Sequence, residues 1–163
     1  MIEALPLLVL LAAPKGPAPP QPRALRLPVR VTAGESNQLL GRLHPDGQRL
    51  FFMSDRDATT QIYVQDITQG GARLLWDADA DVTTPRISPD GRTLLYVSYA
   101  RDATGDLCLM DLGEEGGRRC LSGSSGSESQ PFWFPDGRSV GAVRRSSVHA
   151  NVQLRRWSAG GGK

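Results

Sequence analysis

The chain has 163 residues, room for about one domain of ordinary size. Its 18 Gly and 12 Pro are high for that length, which argues against a mainly helical protein and for short strands joined by tight turns. The net charge of +2 hides an uneven split: residues 35–130 hold nine Arg or Lys against fifteen Asp or Glu, and residues 131–163 hold six against one.

The amino terminus carries an apolar run over residues 5–13, the size of the hydrophobic stretch of an export signal and too short to span a bilayer. Glu3 is the only charge before it, and no clean small-residue cleavage site follows. Residues 15–24 are Pro-rich and read as an extended linker. The expectation is therefore an exported, periplasmic protein with a signal-like segment and linker over 1–24 and a folded part over 25–163. In "RLPVRVTA", Leu27, Val29 and Val31 alternate with other residues, predicting one strand.

Beyond it one phrase recurs. "HPDGQRLFFMS" from His44 is repeated as "SPDGRTLLYVS" from Ser88 and, more loosely, as "FPDGRSVGAVR" from Phe134. Pro45, Pro89 and Pro135 preset the first corner of a turn, Asp46, Asp90 and Asp136 bond back to the backbone, and Gly47, Gly91 and Gly137 supply the positive φ that closes it. The prolines are 44 and 46 residues apart, a spacing that fits propeller blades of four short strands. Within a unit, strand A precedes the turn ("QLLGRL", "TPRIS", "PFWF") and strand B follows it. A polar loop leads to strand C ("QIYVQDI", "DLCLMDL", "NVQLRRW"), and a second turn leads to strand D ("ARLLW", "RRCLS"). The fold class is all-β, with antiparallel blades at about 37–82, 83–129 and 130–163.

The pattern "PRISPDGRTLLYVSYARDATGDLCLMDL" resembles the WD40-like (PD40) repeats of TolB-like β-propellers, and the resemblance extends over about residues 37–163. It implies an extracytoplasmic propeller of six blades, of which three are present. The α/β domain that precedes the propeller in TolB itself is absent from this pattern. The three blades read as a piece of a longer propeller, with a homodimer of two half-rings as the alternative. In the second case "RLPVRVTA" supplies the missing D strand of the last blade. The resemblance further implies a non-enzymatic protein-interaction scaffold in the cell envelope. The alternatives are the propeller portion of a prolyl-oligopeptidase-like peptidase and a small-ligand-binding propeller.

Chemistry-bearing motifs are sparse. Pairing strands C and D about Glu114 sets Cys108 opposite Cys120, where a disulfide and two packed thiols are both open. "DADAD" at Asp77, Asp79 and Asp81 starts like a calcium loop, but Val82 and Ser88 stand where an EF-hand needs Gly and Glu. "GSSGSES" misses the serine-hydrolase elbow at Ser127. His44 and His149 lie apart in the repeat, without an acid–nucleophile set. No catalytic, metal-binding or cofactor-binding residue is expected. Arg144, Arg145, Arg155 and Arg156 fall in a strand pattern without interleaved aromatics, read as the solvated face of an outer strand, so nucleic acid is not an expected partner. No integral membrane span is expected either. Other proteins are the expected partners, met by loops gathered at one end of the blades. These loops are residues 55–60, 101–105 and 146–150 with connections 77–84 and 122–130, carrying Asp55, Arg56, Asp57, Asp77, Asp79, Asp81, Arg101 and Asp102 as candidates.

Overall fold

The computed structural model describes residues 30–32, 34, 36–113, 116–123, 126–147 and 149–160. The signal-like segment, the linker, Leu27, Val29 and Glu114 lie outside the described residues. Among those described, all regular elements are strands: β1 (Gln38–Leu43), β2 (Arg49–Asp57), β3 (Thr59–Asp66), β4 (Gly70–Leu74), β5 (Val82–Ile87), β6 (Thr93–Ser98), β7 (Asp106–Asp111), β8 (Arg118–Cys120), β9 (Ser127–Trp133), β10 (Ser139–Arg145) and β11 (Gln153–Ser158). They form three antiparallel sheets in simple meander order, β1–β4, β5–β8 and β9–β11. These are propeller blades.

The same turn builds each blade. The Gly47 N–H donates to His44 O at 2.9 Å, Gly91 to Ser88 O at 2.9 Å and Gly137 to Phe134 O at 3.0 Å. The aspartate Oδ1 accepts the N–H two residues on, from Gln48, Arg92 and Arg138, at 2.8–3.0 Å. The three glycines have φ of 72°, 76° and 64°, the left-handed region that side chains avoid. Gly91 has a second reason to lack a Cβ, since one would stand 2.6 Å from the His44 ring of the preceding blade. His44 is buried, and its Nε2 donates to Gly91 O at 2.8 Å, which pins blade one to blade two at the turn end.

Strand A of each blade carries a bulge at one repeat position. Leu40, Thr84 and Gln130 have φ of 51°, 53° and 51°, and the register against strand B slips there. A bulge kinks and twists its strand. The innermost strand is thus bent at the same point three times.

The core lies between blades rather than within them. Phe51, Ile62 and Val64 of blade one pack with Val82, Leu94, Tyr96, Cys108 and Met110 of blade two. Leu95, Leu107 and Leu109 on the other face of blade two pack with Val140, Ala142 and Ala159 of blade three. Period-two alternation thus gives a central blade two apolar faces. Burying each large side chain here is worth about 1.5–3 kcal/mol. Trp133 adds a cross-blade bond from its Nε1 to Arg86 O at 3.0 Å.

Several expectations are adjusted. Residues 55–60 are mostly strand, because β2 and β3 run on to meet at Ala58, which adopts φ 72°. β9 begins at Ser127, inside the stretch read as a blade connection, because residues 127–129 pair with β10. β10 is the middle strand of its sheet, so Arg144 and Arg145 are not on an outer strand. Arg30, Val31 and Thr32 lie in no sheet, and Val31 O accepts from Gln65 Nε2 at 2.7 Å, on blade one rather than blade three.

Candidate interaction site at the loop end

Strand pairing fixes which connections share an end. Asp57 meets Thr59 at the loop end of blade one, and Leu74, beside Tyr63, leads away towards blade two in the same direction. The β2–β3, β6–β7 and β10–β11 links and both blade connections therefore emerge together, opposite the Pro-Asp-Gly turns.

The charged candidates at this end are largely engaged within the protein. Asp55 accepts from Asn37 N at 3.1 Å and from Asn37 Nδ2 at 2.6 Å. Arg56 lies over the Tyr63 ring, 4.2 Å from its centroid, and Asp57 accepts the Tyr63 hydroxyl. Burial first, then that bond and the charge of Asp57, push the Tyr63 hydroxyl up to about 12. Asp81 Oδ1 accepts from Thr60 N at 2.7 Å, tying the β2–β3 hairpin to the blade connection. Gln61 Nε2 reaches Ala78 O and Ala80 O in the same connection. Asp102 accepts from Thr104 N and Oγ1 at 2.8 and 2.5 Å, bonds that hold its carboxyl below the usual range. Asp77 and Asp79 make no hydrogen bond or ion pair with the described residues. Among the described residues no group of three or more His, Cys, Asp or Glu is placed to hold a metal.

The junction between blades two and three is built differently. Its register sets Glu128 opposite Arg144, where blade two has Val82 opposite Ser98. Glu128 is 2% exposed, and its Oε1 receives Arg144 Nη1 at 2.7 Å while its Oε2 accepts from Ser122 Oγ at 3.0 Å. Ser122 Oγ in turn accepts from Leu107 N at 2.8 Å. Asp106, 3% exposed, sits at the position of Gln61 in blade one, and its Oδ2 has no hydrogen-bond partner among the described residues. The nearest cation is Arg101, whose Nε is 4.0 Å away. Burial, the largest cause, raises both carboxyls; Ser122 and Arg144 oppose it at Glu128, and Arg101 opposes it at Asp106. At its loop end this junction is polar, beside the apolar core of Leu95, Leu107, Leu109, Val140 and Ala142.

Above this seam opens a cleft of about 420 Å³ lined by Asp102, Thr104, Gly126, Ser127, Arg145, Ser146 and Ser147. Its walls are tied: the one proton of Thr104 Oγ1 is shared between Asp102 and Gly126 O, the latter at 2.9 Å, and Glu128 N donates to Gly105 O at 3.2 Å. Of the candidates read from the sequence, only Asp102 lines it. Glu128 and Arg145 were missed because they stand in stretches that read as loop and solvated strand, and Asp106 because it opens strand C, where nothing local marks its carboxyl as buried. The signal available was blade-to-blade alignment, which puts a carboxylate at the register of buried Val82.

Cys108 and Cys120 are partners in the β7–β8 register, as Tyr63 and Leu74 are in blade one, and the structure joins them as a disulfide.

The meander sheets and cross-blade cores define a β-propeller array. The chain belongs to the TolB β-propeller domain family, whose sequence model (PD40) matches residues 24–140. It is 35% identical over 102 residues to the uncharacterized peptidase YuxL of Bacillus subtilis strain 168, covering 59% of this chain and 15% of that protein. It is 31% identical over 91 residues to the Tol-Pal system protein TolB of Desulfotalea psychrophila, covering 56% and 20%. The structure of a putative TolB from Agrobacterium tumefaciens superposes with TM-score 0.66 at 21% identity, over 79% of this chain and 47% of that one. The chain thus spans less than half the length of each.

Proposed function

We propose that this chain is a non-enzymatic propeller segment of the cell envelope whose loop end binds another protein. The observation that carries the reading is the convergence of every B–C hairpin and blade connection at one end, pinned to each other by Thr60–Asp81 and Thr104–Gly126 bonds. A rigid scaffold presenting connected loops is a common basis for binding. The kinship with the TolB domain family supports an exported, periplasmic location. The test places a photo-crosslinking residue at Asp57, Arg101 or Ser147 and, as controls, at Thr68, Arg92 or Arg138. A discrete adduct from the first set alone supports the reading. Equal adducts from both sets, or none from the first, retire it.

The second reading is the propeller portion of a larger peptidase, favoured by the 35% identity to YuxL. It predicts a G-x-S-x-G nucleophile motif further along the gene and hydrolysis of ester or amide substrates by the longer product. A homodimer completing the ring is tested separately by light scattering on the purified chain: a mass of two chains supports it, and a mass of one retires it.

A further inference from the structure

The face of blade one that points away from blade two is covered by the chain itself. Phe51, Ile62 and Val64 pack on blade two, so alternation turns Phe52, Tyr63 and Gln65 to the other side. These three are in register with Tyr96, Cys108 and Met110, the face of blade two that receives blade one. All three are buried. The segment leading into β1 is fastened across them at both ends. At the turn end Val31 O accepts from Gln65 Nε2 at 2.7 Å. At the loop end Ser36 Oγ and Ser54 Oγ are 3.1 Å apart, and Asn37 Nδ2 donates to Asp55 at 2.6 Å. Arg56 lies over both rings, its Cζ 4.2 Å from the Tyr63 centroid and 5.8 Å from that of Phe52. Two repeat positions differ here from the other blades. Gln65 stands where Met110 and Trp157 pack into blade junctions, and Arg56 stands where the small Ala100 and Ser146 occur.

We propose that Val31, Ser36, Asn37 and Arg56 form a built-in cap, which closes blade one to head-to-tail association with a second copy of this chain. Contact between blades has one polarity. Ile62 of blade one and Leu107 of blade two belong to the cores shared with the next blade, and Leu154 holds their register in blade three. Leu154 is exposed. Its counterpart in a second copy is the Phe52 and Tyr63 face of blade one, which stands in the register of Tyr96 and Cys108. A head-to-tail contact of this kind propagates unless it closes a ring, and repeat arrays stay soluble through a polar outer face on a terminal unit. The Arg56 guanidinium over the two rings and the Gln65 amide on Val31 O provide that polar cover. A ring of two chains needs the same face uncovered, so one molecule cannot hold the cap and join that ring.

The test uses the full chain with a photo-crosslinking residue at Val31. Irradiation and trypsin are expected to join fragment 31–42 to fragment 57–73, which carries Tyr63 and Gln65, within one chain. Tyrosine nitration mapped by mass spectrometry is expected to spare Tyr63 in the parent. It is expected to modify Tyr63 in the double variant Arg56→Ala with Gln65→Glu, which uncovers the ring and repels Val31 O. Tyr96, buried between blades one and two, stays protected in both and reports that the variant is folded. Should the pair unfold the chain, Arg56→Ala alone serves for the same readings. Light scattering is expected to give one chain for the parent and a mass that rises with concentration for the double variant. Adding Leu154→Asp is expected to return that mass to one chain. Crosslinks that miss fragment 57–73, or equal nitration of Tyr63 in parent and folded variant, overturn the cap. A parent of two chains, a folded variant with open Tyr63 that stays single, or association unchanged by Leu154→Asp overturns its role in blocking a second copy.

Discussion

At the scale of single residues, Asp106 shows the repeat working against itself. The equivalent positions in the flanking blades are Gln61 and Gln153, both neutral amides. Asp106 instead buries a carboxyl with Oδ2 unbonded, and burial, then the charge of Asp102, raise its pKa against the weaker pull of Arg101, Ser122 and Arg144. A carboxyl with a folded pKa above its unfolded value binds its proton more tightly in the folded protein. Its contribution is therefore most favourable at low pH and is lost as pH rises through the folded pKa. Asp106→Asn is accordingly expected to raise the thermal midpoint at pH 7, with the advantage shrinking as pH falls into the carboxylate range. Thermal melts across pH 4–8 check this, and a pH-independent difference would show that charge is not the cause. Asp66, Asp90 and Asp102 act with the opposite sign. Hydrogen bonds, led by those from Thr68, Ser88 and Thr104, lower them, so the stability they give is present at neutral pH and lost as pH falls through their folded values.

Among elements, the polar seam invites exchange with its apolar counterpart. Removing Arg144 alone leaves Glu128 as an uncompensated buried charge, which costs about 3 kcal/mol in comparable pairs. Arg144→Ala should therefore lower the denaturation midpoint strongly. Glu128→Val with Arg144→Ser imports the Val82–Ser98 pair of blade two, and chemical denaturation should find that double variant close to the parent or above it. If both variants lose the same stability, the pair is not what couples the blades. The β7–β8 hairpin offers a separate check. Closing the loop between Cys108 and Cys120 contributes about 2–3 kcal/mol by chain entropy. Material prepared in an oxidising compartment should show no free thiol under denaturing, non-reducing conditions and should melt lower after reduction. Two titratable thiols in that material would remove the bridge.

Elements also show what the sequence made legible. The Pro-Asp-Gly turns were readable because their chemistry is local: three consecutive residues set the corner, the side-chain bond and the left-handed φ. β1 was placed at its observed bounds for the same reason, since its turn follows directly. The β2–β3 end was not, because continuing both strands to Ala58 depends on partners across the hairpin that a polar run conceals. The Glu128–Arg144 pair was hidden for a longer-range reason. Residue 128 follows a Ser- and Gly-rich stretch that reads as surface, and its burial is imposed by β10 of its own sheet and β7 of the previous one. The cleft above it arises only once two blades are side by side.

At the scale of the whole molecule, the two ends of the array differ. One repeat position is filled by Ile62, Leu107 and Leu154 in blades one to three, and the first two of these face the following blade. Ile62 and Leu107 are fully buried, whereas Leu154 is 69% exposed. Leu107→Ala should cost about 3 kcal/mol, and Leu154→Ala should stay within about 0.5 kcal/mol. Equal losses in denaturant titrations would mean that the outer face of blade three is covered in solution. At the opposite end, Phe52 and Tyr63 are nearly inaccessible beneath Arg56, and Gln65 is bonded to Val31. Among the described residues, exposed apolar surface is thus concentrated on β1 at Leu39, Leu40 and Leu43 and at Leu154 of β11 with Val152 just before it.

The unequal seams set an order of disassembly. Blades that touch only their neighbours come apart one interface at a time, so the weakest seam determines where the array first opens. The junction of blades one and two has an aliphatic and aromatic core with Val82 and Trp76 packed into it, while that of blades two and three adds to its apolar core the buried polar group of Glu128, Asp106 and Ser122. Sub-global opening should therefore release blade three as a unit. Protease nicking in the Gly- and Ser-rich stretch around residue 123 would outpace cuts elsewhere among the described residues, and amide protection would step down between β7 and β10 rather than fade evenly. Among the described blades, the hold of blade two on blade three thus varies with acidity while blades one and two stay shut.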